Sequence, residues 1–358
     1  MLHKIDFYII KKFLGTFFYA IALIISISIV FDISENIDDF MSKDVPVKAI
    51  VFEYYLNFVP YFANLFSGLF TFIAVIYFTS KLAYNTEIIA ILSSGVSYKR
   101  LMRPYLVGAT IIAVFSYLLG NYLIPPANKK KNDFRHMYIG TRKSESEKNI
   151  HRQIEPGVFV YMTAYNTSND VGYKFTIEKF VERKLVSKLS AEYVKWDREK
   201  KKWVAHDYFI RTIDGYKERI TQGSEKDTTL NMVPEDYQVI ANVVETMTLP
   251  VLNKSIENLK LRGVNTTEYE IEKHKRVSGP FSAFVLTIIG VSLASRKIKG
   301  GIGFHLGLGL LLSFSYILFM QITTVFATGG LLAPWLAMWI PNIVYGGLAF
   351  YLYRRAAT

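Results

Sequence analysis

The chain has 358 residues, 51% of them hydrophobic and 15% aromatic, with a mean hydropathy of +0.21. A soluble domain of this length seldom reaches such values, because an exposed surface needs charge. The formal net charge of +12 would suggest nucleic acid if the basic residues formed a stripe on a soluble fold. Here they cluster beside long apolar runs, where their commoner meaning is cytoplasmic anchoring, so nucleic-acid binding is set aside. With no cysteine, disulfides, thiolate metal sites and cysteine nucleophiles are excluded.

Taken in chain order, Lys4, Lys11 and Lys12 precede the uncharged stretch Phe13–Phe31. It is longer than a signal-peptide core and no small-x-small cleavage site follows, so it reads as a retained helix. Next come Asp32, Glu35, Asp38, Asp39 and Asp44, with only Lys43 and Lys48 following, and this segment reads as a solvated acidic loop. Tyr54–Ser80 and Tyr105–Ile124 are two further spans, joined by a loop carrying Lys81, Lys99, Arg100 and Arg103.

The long segment from Pro125 to Arg276 has strand character in its middle. Val158–Met162 is a short apolar run, and Tyr173, Phe175 and Ile177 alternate with polar residues. Tyr193–Trp196 and Trp203–Ile210 flank the polar turn Asp197–Lys202, as in a hairpin. Asn128–Asp133 and Thr246–Arg276 read as charged connectors, the latter helical from Glu268 to Lys275.

Val277–Ser295 is the fourth span. Gly300–Tyr353 is too long for one crossing of a ~30 Å core and is interrupted by Gly329, Gly330 and Pro334, so it splits into two helices. Six spans result. The basic segments, including Arg296, Lys297, Lys299, Arg354 and Arg355, then all fall on one side, which predicts cytoplasmic termini and an extracytoplasmic Pro125–Arg276 segment. The predicted organisation is helices one to three over 1–127, a β domain over 128–250, a connector over 251–276 and helices four to six over 277–358.

Ion-coupled carriers need ionisable groups within the membrane, and these spans offer His305 alone, read as an interfacial histidine that reaches water. Neither H-E-x-x-H nor a G-x-x-x-x-G-K-[ST] phosphate loop is present, so energy for any work must come from a partner. The loop after the second span suggests where that partner docks. Asn85 or Thr86 can cap a short helix near 86–94, with Glu87 in its first turn, where the helix dipole favours an anion. Ile88, Ile91 and Leu92 fall on one face, Gly95 supplies the stop, and Ser97 can cap the next helix. That apolar face must be buried on its own bundle, in the lipid interface, or in a cytoplasmic ATPase. Gly303, Gly307 and Gly309 leave one face of the fifth span smooth enough for close helix approach.

Three blocks carry a family resemblance. The first is Glu87-Ile-Ile-Ala-x-x-x-Ser-Gly95-x-Ser97-x-x-Arg100-Leu-x-x-Pro104. The second is Glu272-x-His274-Lys275-Arg276-x-Ser-x-Pro280-Phe281, and the third runs from Gly301-x-Gly303 to Pro334-x-x-Ala337-x-Trp339-x-Pro341-Asn342. Together they resemble the LptF/LptG (YjgP/YjgQ) permeases, the transmembrane subunits of an ABC transporter that exports lipopolysaccharide.

The resemblance implies a six-helix permease half in the inner membrane with an inserted periplasmic all-β, jellyroll-like domain. It implies no catalytic residue, cofactor or metal in this chain, since ATP and Mg²⁺ would be bound by an LptB-type ATPase dimer. Further implied partners are a second LptF/LptG-like subunit, periplasmic LptC/LptA-like jellyroll proteins and lipopolysaccharide itself. Glu87, Ile88, Ile91, Leu92, Gly95 and Arg100 would form the ATPase-coupling segment. Glu87 is either the coupling carboxylate or a simple helix-start acid, and Arg100 either orients the loop or touches lipid phosphate.

The family holds lipid phosphates with basic residues near the outer leaflet. Here only Lys43 and Lys48 are candidates, unless divalent cations bridge the acidic residues to phosphate. Tyr173, Phe175 and Ile177 are candidates for an acyl-chain conduit, with an ordinary packed β core as the alternative. The rival function is a structural or adaptor membrane protein that docks periplasmic partners and passes no lipid.

Overall fold

The computed structural model describes residues 4–139, 148–166, 169–182, 184–215, 217–228, 234, 243–261, 265–296 and 301–357. Six of its helices are long and apolar enough to cross a membrane: Lys4–Ser42, Ser67–Tyr84, Tyr98–Ile139, Thr267–Ala294, Ile302–Thr328 and Pro334–Ala356. They correspond in number and order to the six expected spans, with ends that depart from those of the uncharged stretches. The helical elements are α1 (Lys4–Ser42), α2 (Leu56–Leu65), α3 (Ser67–Tyr84), α4 (Glu87–Ser93), α5 (Tyr98–Leu118) and α6 (Ile124–Phe134). After the strands come α7 (Leu249–Leu261), α8 (Thr267–Ala294), α9 (Gly301–Thr328) and α10 (Pro334–Ala357).

Two expectations for the connectors need correction. Asn128–Asp133 is not a connector but part of α6, which prolongs the third span. Pro125 and Pro126 lack the N–H that would continue the α-helical ladder, and the helix widens into a π-helical turn at Leu119–Leu123 to pass them. The acidic residues after the first span are likewise helical as far as Ser42. The uncharged run Tyr54–Ser80 holds two helices, α2 and α3, with Phe66 between them. Glu268–Lys275 is helical as expected and continuous with the fourth span.

The chain divides into two compact units: Met1–Gly140, Glu245–Leu252 and Thr267–Thr358 form one, Thr141–Val244 and Asn253–Thr266 the other. In the helical unit, Ile9, Phe13 and Phe17 of α1 pack with Val75 and Phe78 of α3, Leu101 and Tyr105 of α5 and Val291 of α8. The helices approach closely where a side chain is missing. A Cβ on Gly108 would lie 2.5 Å from the Phe13 ring, and one on Gly290 would lie 2.8 Å from Val75. Spans four, five and six share a buried polar link. Asn342 donates to the Ser278 carbonyl at 2.8 Å and accepts from Tyr316 at 3.0 Å.

The second unit carries six antiparallel strands in sequential order: β1 (Lys148–Glu155), β2 (Val158–Asn166), β3 (Val171–Val181), β4 (Lys184–Asp197), β5 (Lys202–Asp214) and β6 (Lys217–Thr228). The expected hairpin joins β4 to β5, and its turn is set by Asp197, whose carboxylate accepts the N–H groups of Glu199 and Lys200 at 2.9 and 3.0 Å. Those bonds, the one from Lys200 foremost, hold the Asp197 carboxyl below its usual range.

One irregularity crosses the whole sheet. The pairing skips Lys174 opposite Glu192 and Glu192 opposite Asp207, and both Lys174 and Asp207 have positive φ, near +50°. Inward-facing residues change phase there. On β4 they are Leu189 and Ala191 before Glu192, then Val194 and Trp196 after it. On β5 they are Trp203 and Ala205, then Tyr208 and Ile210. Because neighbouring strands take the step at matched positions, the pairing keeps one register on both sides of it.

Candidate functional site

The loop between α3 and α5 folds as a two-turn helix, α4, close to the expected bounds. Its N-cap differs from expectation. Thr86 occupies that position with φ of +63° and makes no side-chain cap bond; its hydroxyl donates to the Asn85 carbonyl instead. A left-handed residue here reverses the chain tightly after α3. Asn85 reaches forward, its amide 3.3 Å from the Glu87 carboxylate, which is half-buried in the first turn. Gly95 ends the helix at φ of +87°, and Ser97 caps α5 by accepting the Arg100 N–H at 3.3 Å.

The apolar residues of α4 divide into two sets. Ile88 is 1% exposed and belongs to the cluster built by α1, α3 and α5, with Ile91 packed beside it. Ile89 and Leu92 are 51% and 36% exposed. One face therefore fixes α4 to the bundle, and the other presents apolar surface with Glu87 at its leading end.

Arg100 does more than sequence reasoning assigned. Its Nη1 and Nη2 donate to the two carboxylate oxygens of Asp6 at 2.7 and 2.6 Å, a fork-to-fork pair. Asp6 lies in the first turn of α1 and is 1% exposed. Around it, further contacts gather helix ends that are distant in sequence. Tyr98 bonds Ser292 and its ring lies tilted against that of Tyr353, while Arg296 donates to the Arg355 carbonyl. Arg100, Arg296 and Arg355, which flank different spans, thus lie at one end of the bundle. His305 is there too, but it does not reach water as expected. It is 6% exposed with Nε2 3.2 Å from the Arg296 carbonyl, because the fifth span starts against the end of the fourth.

The opposite end holds a polar cluster that no uncharged-span argument could find. Asp32 is not a solvated loop residue; Tyr54 and Tyr55 donate to its two oxygens at 3.2 and 2.9 Å. Lys131 lies over the Tyr61 ring, 4.8 Å from its centroid. Arg276 bonds Glu272 at 2.7 Å and the Met247 carbonyl at 2.7 Å. Burial, and then the nearby Glu272, push the Glu245 carboxyl above its usual range against the pull of Lys275, Lys131 and Arg276. Lys43 and Lys48 are both exposed. Among the described residues no group of three or more His, Cys, Asp or Glu is placed to hold a metal ion.

The remaining candidates separate. On β3, Phe175 is fully buried in the sheet core with Ile177 packed against it, whereas Tyr173 is 43% exposed. The phase step at Lys174 puts Tyr173 on the other face, so the three residues do not share one. On α9, a Cβ at Gly309 would collide with Ile76 of α3, but at Gly303 or Gly307 it would meet nothing within 4 Å. Gly309 serves packing within the chain, and the G-x-x-x-G pair faces open space.

Six helices long and apolar enough to span a membrane, an inserted antiparallel sheet and a short amphipathic helix anchored between two of those helices define a multi-pass membrane protein. No curated protein matches the chain. The family model for the lipopolysaccharide export system permease LptF/LptG matches residues 7–355, nearly the whole chain, and the protein belongs to that family. It is accordingly a transport permease subunit of lipopolysaccharide export.

Proposed function

We propose that the chain is one transmembrane half of an ATP-driven exporter that extracts lipopolysaccharide from the inner membrane and passes it to a periplasmic bridge. The observation that carries this reading is α4, whose Ile88 is locked into the bundle while Glu87, Ile89 and Leu92 remain presentable to a partner. A separate LptB-type ATPase dimer holds ATP and Mg²⁺ and receives this face, with Glu87 pairing a basic side chain.

The position of Arg100, Arg296 and Arg355 at the α4 end supports a cytoplasmic location for it, with both termini there and the sheet in the periplasm. The open Gly303–Gly307 face supports a second LptF/LptG-like subunit, identical or not, against the fifth span. Lys131, at the opposite end, joins Lys43 and Lys48 as a candidate contact for lipid phosphate.

Extraction of the full chain in mild detergent, followed by mass spectrometry of what accompanies it, tests the reading. The expected companions are an ATPase, a second permease subunit and lipopolysaccharide. Glu87→Ala should preserve abundance, since a helix-start acid is worth only about 0.3–1 kcal/mol, while reducing the ATPase recovered and the lipid exported. Undiminished recovery and export would return Glu87 to a purely local role.

A further inference from the structure

We propose that the Asp6–Arg100 pair is the joint through which movement of the α4 segment reaches the first span. The proposal rests on reading α4 as the docking element. Arg100 is tied to that segment by its own N–H bond to Ser97, which lies just beyond the Gly95 stop. Its guanidinium grips a carboxylate 94 positions earlier, in the first turn of α1.

The first span is the least enclosed of the six, with 17% of its most apolar window buried inside the protein. Its buried side chains are Asp6, Ile9, Phe13, Phe17 and Ile21 along its first half, then Asn36 and Phe40 near its far end. Between Ile21 and Asn36 no residue is fully buried, so the helix is held along its Asp6 half and again near Asp32, Asn36 and Phe40, and is most open between them. The same cluster that buries Ile9 and Phe13 also takes in Ile88 of α4. An apolar contact permits sliding, whereas a two-point planar fork fixes direction as well as distance. A push on α4 therefore turns or shifts the start of α1 through Arg100 rather than being lost at the apolar contact. Asp6 and Arg100 act as positioning residues, touching neither lipid nor nucleotide.

The test uses the full chain purified with its companions and compares Asp6→Asn, Arg100→Lys and Asp6→Glu with wild type. Three quantities are read: ATPase retained, ATP turnover, and lipid released to an acceptor micelle. Asp6→Asn is expected to keep the ATPase and its turnover but to lower lipid release about tenfold, the size of a typical coupling between sites. Arg100→Lys should fall between, because it keeps charge without the fork, and Asp6→Glu should recover release in part.

Equal release from Asp6→Asn and wild type overturns the proposal, as does loss of the ATPase together with release, which would make the pair a scaffold for docking. Absence of an ATPase from the wild-type preparation would instead strike the docking reading. The joint is then read in the isolated chain, where the lack of native cysteine lets spin labels be placed at Ile89→Cys and Phe31→Cys alone. A narrow label separation that broadens in Asp6→Asn supports the joint, and an unchanged one overturns it.

Discussion

Ile88 and Leu92 are one helical turn apart on α4, yet they face different demands. Ile88 fills space within the bundle, so Ile88→Ala should lower stability by about 2–5 kcal/mol, measured by thermal unfolding in detergent. Leu92→Ala should change stability by no more than about 0.5 kcal/mol and should act on ATPase recovery instead.

Glu245 supplies a pH-dependent contrast. Its carboxyl is raised, so the folded state holds that proton more tightly than the unfolded chain does. The resulting stability is present at low pH and is lost as pH rises through the raised value. Glu245→Gln should therefore unfold at a higher temperature than wild type at about pH 8 and at a similar temperature at about pH 4, below the carboxyl's unfolded range. An identical shift at both values would assign the effect to shape rather than charge.

Helix packing in the membrane unit turns on a few missing side chains. Gly108 lets the Phe13 ring lie against the α5 backbone, so Gly108→Val should loosen the first span from the third and cost about 1–3 kcal/mol. Gly303→Val, which meets nothing within 4 Å in the single chain, should leave the isolated subunit folded and reveal itself only in recovery of a second subunit.

These elements also show how far the sequence could be read. Apolar runs marked every span, because a crossing helix has no alternative to covering itself in hydrocarbon. They could not mark where the helices end, since Asp32 and Lys131 find tyrosine partners that uncharged stretches do not reveal. The α4 pattern was legible because capping and amphipathic spacing are local. Its left-handed Thr86 was not, as that follows from how tightly the chain must turn after α3. The Asp6 fork lay beyond reach for the same reason in the extreme: its partner is 94 positions away.

For the molecule as a whole, sidedness governs every functional statement. A cysteine at Lys200, in the β4–β5 turn, should react with an impermeant thiol reagent in intact spheroplasts, and one at Ser94, beside α4, should react only after permeabilisation. The reverse pattern would invert the proposed direction of export. The aligned step of the sheet has a consequence for how this domain tolerates length change. The skipped positions, Thr163, Lys174, Glu192 and Asp207, continue in register to Asn149 on β1 and Ser224 on β6, so all six strands share the step. Removing Lys174 alone would shorten β3 between neighbours that keep their matching residue, throwing one half of its pairings with β2 and β4 out of step. Removing all six together would leave each neighbour matched and every apolar residue on its present side. The larger deletion should therefore be the gentler one, giving a flatter sheet that still resists proteolysis where the single deletion does not.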